Sequence, residues 1–265
     1  MRKFLLTACT ALLSLALFAQ GLPLLDDDVF QDGEKISMSV MFKWGAINTE
    51  VAQASLTLEE EEDCYHAVLA AKTAPFFDVF YKIRENFQSR FSLDELRPME
   101  AIRDTYESGY TATNHFIYDW EAGIIRAEVS YRGAEPEYME IPLNNLSLDM
   151  VTLIYYLRNL DWGNAREGQV CNVPFAIDDA VFNVDATYQG TETIKVRKLG
   201  RFRAMHLSCS VVAGVLFEGD QRLQVWLSDD NNHLPLAVMV PLKVGNVWAW
   251  FKGAENLKYN LDARL

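Results

Sequence analysis

Apolar and polar residues alternate along most of this chain. In the stretch 193–199, Ile194, Val196 and Leu199 contrast with Lys195 and Arg197; in 222–228, Leu223, Val225 and Leu227 fall on one side. A period of two is the signature of a strand with one face packed and the other wet. The pattern predicts strands at 35–44, 51–58, 65–72, 85–93, 99–107, 110–120, 124–131 and 137–141. A second series follows at 170–177, 181–188, 191–199, 201–209, 223–227, 234–240 and 247–251. Turn residues separate them: Glu121-Ala122-Gly123, Arg132-Gly133, Gln189-Gly190, Glu218-Gly219-Asp220 and 229–232. Strands this closely spaced predict a mainly β protein: a large antiparallel curved sheet, half-barrel or sandwich.

Two segments break the alternation. Residues 75–81 open on Pro75, which suits a first helical turn because it has no N–H to satisfy there, and predict a short helical turn. Residues 147–160 predict the main helix, with Ser147 as N-cap, Asp149 near the positive end of the dipole and Arg158 near the negative end. Leu148, Met150, Val151, Leu153, Ile154, Tyr155, Tyr156, Leu157 and Leu160 cover nearly its whole circumference. A helix apolar all round belongs inside something, and a curved sheet supplies the enclosure. With no low-complexity linker and no repeat, residues 21–265 read as one β-rich domain whose two sub-halves meet near 145.

The first twenty residues read differently. Arg2 and Lys3 precede an apolar run from Phe4 to Phe18, followed by Ala19-Gln20-Gly21. This is the layout of a secretory signal peptide over residues 1–20, and the run is too short for a comfortable membrane span. Leu6-Thr7-Ala8-Cys9 resembles a lipobox, but most of the apolar run lies after Cys9, so lipidation is the weaker reading. The expectation is an exported chain, soluble in a periplasm or outside the cell, and not transmembrane. Cys64, Cys171 and Cys209 then remain, an odd number with no C-x-x-C. They read as small buried hydrophobes; a bridge between two of them stays open, since spacing does not choose a pair.

Composition narrows the roles. Half of the residues are hydrophobic, which offsets chain entropy and excludes disorder. The balance of 24 basic and 37 acidic residues gives a net charge of −13. Cleavage of the leader removes Arg2 and Lys3 and no acid, making it −15. Such a chain lacks the basic footprint of a nucleic-acid binder, and its overall charge opposes docking on anionic lipid.

Several stretches, taken in order, resemble an exported bacterial family catalogued as a domain of unknown function, the one numbered 3108. They are Asp32-Gly33-Glu34-Lys35, Leu148-Asp149-Met150 running into Tyr155-Tyr156-Leu157-Arg158, Gly200-Arg201-Phe202, Gly214-Val215-Leu216-Phe217, Gln224-Val225-Trp226-Leu227-Ser228-Asp229-Asp230 and Leu234-Pro235. The resemblance covers about residues 30–255. It implies an antiparallel β protein of the cell envelope and brings no catalytic residue. The departure is Thr49-Glu50-Val51-Ala52, where the pattern of the family leads one to expect a Gly-rich turn.

Motifs of catalysis are missing: no G-x-S-x-G, H-E-x-x-H, P-loop or G-x-G-x-x-G occurs. His66, His115, His206 and His233 have no partner spacing, so no catalytic residue, metal site or cofactor is assigned. Asp229-Asp230-Asn231-Asn232 and Asp178-Asp179 read as polar turns. Asp104 and Glu107 are the carboxylates a glycosidase reading would need to bring across a cleft. Aromatic residues are the suggestive feature. Trp44, Phe77, Phe80, Tyr155, Tyr156, Trp248 and Trp250 are the candidate ligand-binding residues, with Trp248 and Trp250 on one face because they are two apart in a strand. The leading expectation is a non-enzymatic envelope protein that binds a hydrophobic or lipid-like small molecule. The alternatives are a structural or protein-interaction module with an envelope protein as partner, and a glycan-acting hydrolase.

Overall fold

The computed structural model describes residues 21–212 and 222–265. The leader, its Cys9, the stretch 214–217 and the turn 218–220 lie outside the described residues.

Fourteen strands form one continuous antiparallel sheet. The first series is β1 (Lys35–Trp44), β2 (Ile47–Glu60), β3 (Cys64–Thr73), β4 (Ile83–Ser92), β5 (Pro98–Glu107), β6 (Tyr110–Asp119), β7 (Ile124–Tyr131) and β8 (Glu137–Pro142). The second is β9 (Val170–Ile177), β10 (Ala180–Val196), β11 (Gly200–Val212), β12 (Leu223–Ser228), β13 (Pro235–Pro241) and β14 (Asn246–Glu255). Each series is a meander of neighbours. They join where β1 pairs with β14, so the order is β8 to β1, then β14 back to β9. β8 and β9 are the two ends, and the sheet does not close between them. Leu148, in the connection between them, forms a parallel bridge to Phe175 of β9.

Two sequence expectations change. Residues 181–188 and 191–199 form one 17-residue strand, because Gln189-Gly190 makes a bulge between Tyr188 and Gly190 in the β10–β11 ladder and the chain runs on without turning. Glycine in a strand pattern signals a bulge as readily as a turn. The main helix is α2 (Met150–Arg158), shorter than 147–160; α1 is the single turn Pro75–Asp78. Asp149, with extended backbone, is the N-cap of α2, and its carboxylate accepts from the Val151 and Thr152 amides. Ser147 sits at φ 34° outside the helix, where its hydroxyl accepts from the Asn144 amide.

The all-apolar helix is enclosed, as its pattern demands. One side, with Val151 and Tyr155, packs on Ile36, Leu56, Leu58, Phe91 and Phe251. The other, with Leu153, packs on Trp162, Val173, Phe175 and Leu207. Phe30 and Phe91 stand 4.9 and 5.5 Å from the Tyr155 ring, and both reach Tyr65, at 5.4 and 5.6 Å. A third cluster, including Phe116, Tyr118, Ile125 and Ile141, fills the β5–β8 end. All three described cysteines are buried thiols. Cys171 and Cys209 both pair with Ala186, on opposite sides of β10. Two strand spacings, about 9.6 Å, separate them, beyond disulfide reach. Burial pushes the Cys209 thiol up to about 12.

Candidate functional site

The polar residues inside the sheet explain much of the family-like pattern. Arg158, at the end of α2, makes two hydrogen bonds to Glu34, at 2.6 and 2.9 Å, and a third to the Asn232 carbonyl. Both charged side chains are almost wholly buried. Asn159 accepts from the Val29 amide and donates to Asp28, which also accepts from the Tyr65 hydroxyl. At the other end of α2, the Asp149 carboxylate accepts from the hydroxyls of Ser89 and Thr152. With no cation at hand, burial pushes Asp149 up. Asp230 caps the β12–β13 turn through Ser228 and the Asn232 amide, and accepts from the Ala263 amide of the C-terminal tail. The stretches around Glu34, Asp149, Arg158 and Asp230 thus pin the helix to three parts of the sheet. Their role is structural.

His233 belongs to this network. It sits at φ 43°, and its Nδ1 lies 2.6 Å from the Arg158 carbonyl, which takes the ring proton. Burial and the Arg158 charge lower its pKa from 6.5, while Asp230 and Asp161 oppose the shift. The unfolded chain therefore protonates first: stability is full above about 6.5 and is lost as pH falls through the lower folded-state value. Asparagine tolerates positive φ, so His233→Asn should fold and lack this slope. Urea midpoints at pH 7.5 and 5.5 check this: the wild type should lose more stability than the variant.

The seven aromatic candidates fall in three places. Tyr155 is wholly buried in the aromatic cluster, and Tyr156 bridges the two cores beside it. Trp248 and Trp250 stack at 5.0 Å, and the row extends to Trp226 at 5.4 Å and on to His206, 4.7 Å from Trp226. Trp226 donates to Glu192 at 2.6 Å. Trp44, Phe77 and Phe80 lie together at one end of the strands. The space beside the N-terminal end of α2 measures about 30 Å³, room for about one water. A shallow trough of about 700 Å³ crosses the sheet over Ser37, Ser55, Ala70 and Gly253, with Lys72 and Arg84 among its walls. Asp104 and Glu107 are three apart on β5 and project to opposite faces.

The end that holds Trp44 is built from strand tips. Trp44 and Ile47 flank the two-residue β1–β2 turn. Residues 74–82, with α1, link β3 to β4; Leu242 and Val244 lie between β13 and β14; Tyr110 opens β6. Among the described residues, most of the exposed large hydrophobics are here: Trp44, Ile47, Phe76, Val79, Phe80, Tyr81, Tyr110, Leu242 and Val244. Phe76 is 70% exposed, Phe80 73% and Val79 81%.

The β3–β4 link is an inverted turn. Its polar residue, Asp78, points inward to Arg84, 2.5 Å away, and to the Thr73 hydroxyl, while Phe76 and Phe80 point out and Phe77 is partly buried between them. The Arg84 guanidinium and that hydroxyl hold the Asp78 carboxyl down at about 2. Phe76 contacts Phe77 at 5.2 Å and Phe80 at 5.8 Å, so the rings support one another in the open. Gly245 binds the neighbouring tip to this surface: at φ 76°, a Cβ there would meet the Lys43 carbonyl oxygen at 2.3 Å. Only glycine lets the two turns approach so closely. The aromatic count brought Trp44, Phe77 and Phe80 to attention. Ile47, Val79, Leu242 and Val244 escaped it because single apolar residues at turns carry no periodic signal.

Comparison with known proteins places the fold. A crystal structure of a β-barrel-like protein of the domain of unknown function DUF1849 from Brucella abortus is similar, with a TM-score of 0.58 and 8% identity, over 88% of this chain and all of the other. At that identity the likeness concerns the fold alone. No curated protein matches the chain. The model of the family described as protein of unknown function DUF3108 matches residues 37–249, which take in the sheet from β1 into β14 and the helix that Arg158 anchors; the chain belongs to that family.

Proposed function

We propose that this protein is an exported, non-catalytic component of the bacterial cell envelope that binds a hydrophobic, lipid-like ligand, and that it does so at the rim of Trp44, Phe77 and Phe80. The observation that carries the reading is the rim itself. Side chains worth about 1.5–3 kcal/mol each when buried are held in water by a polar anchor at their base. Exposed apolar groups in such number mark binding surfaces. The filled interior around α2 favours a surface site over an enclosed one. The signal-peptide pattern of residues 1–20 supports export, and no helix among the described residues is long and apolar enough to cross a membrane.

The test is fluorescence titration of the purified mature chain with Nile red, followed by displacement with a long-chain fatty acid. Trp44→Ser with Phe80→Ser should weaken dye binding by at least about tenfold without moving the urea midpoint, since both side chains are exposed. Unchanged affinity in the double variant would overturn the rim as the site. The interaction-module reading is second, and β8 favours it by pairing along one side only.

A further inference from the structure

We infer that the free edge of β8 is a self-association surface, on which a second copy of this chain adds its own β8 antiparallel, about a two-fold axis at Met139. The inference goes beyond the rim reading and does not depend on it. Three observations carry it.

The first is the edge itself. Among the described residues, β7 is the one strand that pairs with β8. The other end of the sheet is covered: the Leu148 amide donates to the Pro174 carbonyl of β9, and the Leu148 carbonyl accepts from the Ala176 amide. The register of β8 fixes which of its groups are free. Leu143, just past the strand, donates its amide to the Gly123 carbonyl. Antiparallel bonds recur at every second residue, so Ile141, Met139 and Glu137 face β7. The amides and carbonyls of Tyr138 and Glu140 therefore point away from the sheet.

The second is that these groups complement themselves. With the axis at Met139, Tyr138 stands opposite the partner's Glu140, and Glu140 opposite the partner's Tyr138. Such facing residues exchange both of their bonds, so all four free amides of the two copies find carbonyls. Pro136 and Pro142, which have no N–H, fall opposite each other. Proline and charge at an edge keep foreign strands off. Here the prolines end the pairing where the free amides end. No acid stands directly opposite another, because Glu137 meets the partner's Ile141. A shift of two residues would set Glu140 against the partner's Glu140, an apposition that weakens a ladder.

The third is Tyr138, a large side chain left 75% exposed on the edge strand, far from the rim tips. Beside it, a trough of about 550 Å³ runs over Ile117, Arg126 and Glu140, which are neighbours across β6, β7 and β8. In the paired arrangement the partner's Tyr138 continues that row and covers the trough. Arg126, held by Asp119 at 2.8 Å, then has a tyrosine ring within reach, a favourable contact for a guanidinium. The inner face of β8 is already packed, with Ile141 in the third core cluster, so the partner meets the edge and the outer face. Two chains of net charge −13 repel each other, so the association is weak and salt favours it.

Sedimentation equilibrium of the mature chain, from about 10 μM to about 1 mM at low and high salt, measures the association. A dimer that grows with concentration and with salt is expected. Glu140→Pro removes an amide that faces outward and none that faces β7, so it should keep the urea midpoint. It deletes two of the four bonds across the axis and should weaken the dimer at least about tenfold. Trp44→Ser with Phe80→Ser, at the rim, should leave the dimer unchanged. Hydrogen exchange gives a readout without any variant: the Tyr138 and Glu140 amides should slow as concentration rises. A chain that stays monomeric to about 1 mM overturns the inference. So does a dimer that the rim variant abolishes, or one in which those two amides exchange as fast as in the monomer. Nile red binding reports on the rim separately, so failure at β8 leaves the hydrophobic-ligand reading standing.

Discussion

Replacing Arg158 with alanine is expected to destabilise the protein by on the order of 3–5 kcal/mol, enough to consume much of the stability of an ordinary domain. The reason is asymmetry. Arg158 and Glu34 are both taken out of water, and their mutual hydrogen bonds offset the cost. Removing one partner leaves a buried carboxylate alone. It also frees the Asn232 carbonyl, so the β12–β13 turn loses its hold on the helix. The double variant Glu34→Leu, Arg158→Met, which removes both charges and keeps the volume, should recover most of the loss. Urea unfolding of the wild type, the single and the double variant measures this. Equal damage in the single and double variants would mean that packing volume, and not the stranded charge, accounts for the effect.

Phe91→Ala should follow closely, at about 3–5 kcal/mol. Phe91 is wholly buried on β4, between Tyr65 of β3 and Tyr155 of α2. Those rings also hold Phe30. Truncation therefore opens a cavity where the N-terminal segment, the sheet and the helix meet, and each wall is fixed by its own hydrogen bonds, so the space cannot collapse. Phe91→Leu keeps most of the volume and should cost under about 1.5 kcal/mol. A thermal or urea midpoint that moved as far for leucine as for alanine would contradict the packing account.

These two positions show why the fold was more legible than the site. Strands such as β1, β7 and β9 have the bounds that alternation predicts, since a half-buried sheet writes its period directly into the chain. β10 misled at Gln189-Gly190 because bulge and turn use the same residue. The helix is visible as a run apolar all round; its cap is Asp149 and not Ser147, both able to cap, and the contacts that distinguish them are the local hydroxyl of Thr152 and the tertiary partner Ser89. That Arg158 meets Glu34, 124 positions away, lay beyond any local rule. The rim was half visible. Trp44, Phe77 and Phe80 stood out as aromatic, but whether an aromatic residue at a tip packs inward or outward depends on its neighbours, and the inward turn of Asp78 toward Arg84 is what sends Phe76 and Phe80 out.

The pairing of β1 with β14 bears on how the chain is made. Within each meander a strand finds its neighbour after a short turn, so both halves assemble from local contacts. The seam joins two ends of the sequence, helped by bonds from Gln31 and Asp27 to the segment after β14, and a ribosome delivers β14 last. Until then β1 presents a bare hydrogen-bonding edge, next to a helix whose anchoring turn, at Asn232, is equally late. A chain cut short before residue 246 would keep that edge open permanently, the condition under which strands pair with other chains. A chain of this topology gains from staying unfolded until its last strand has emerged.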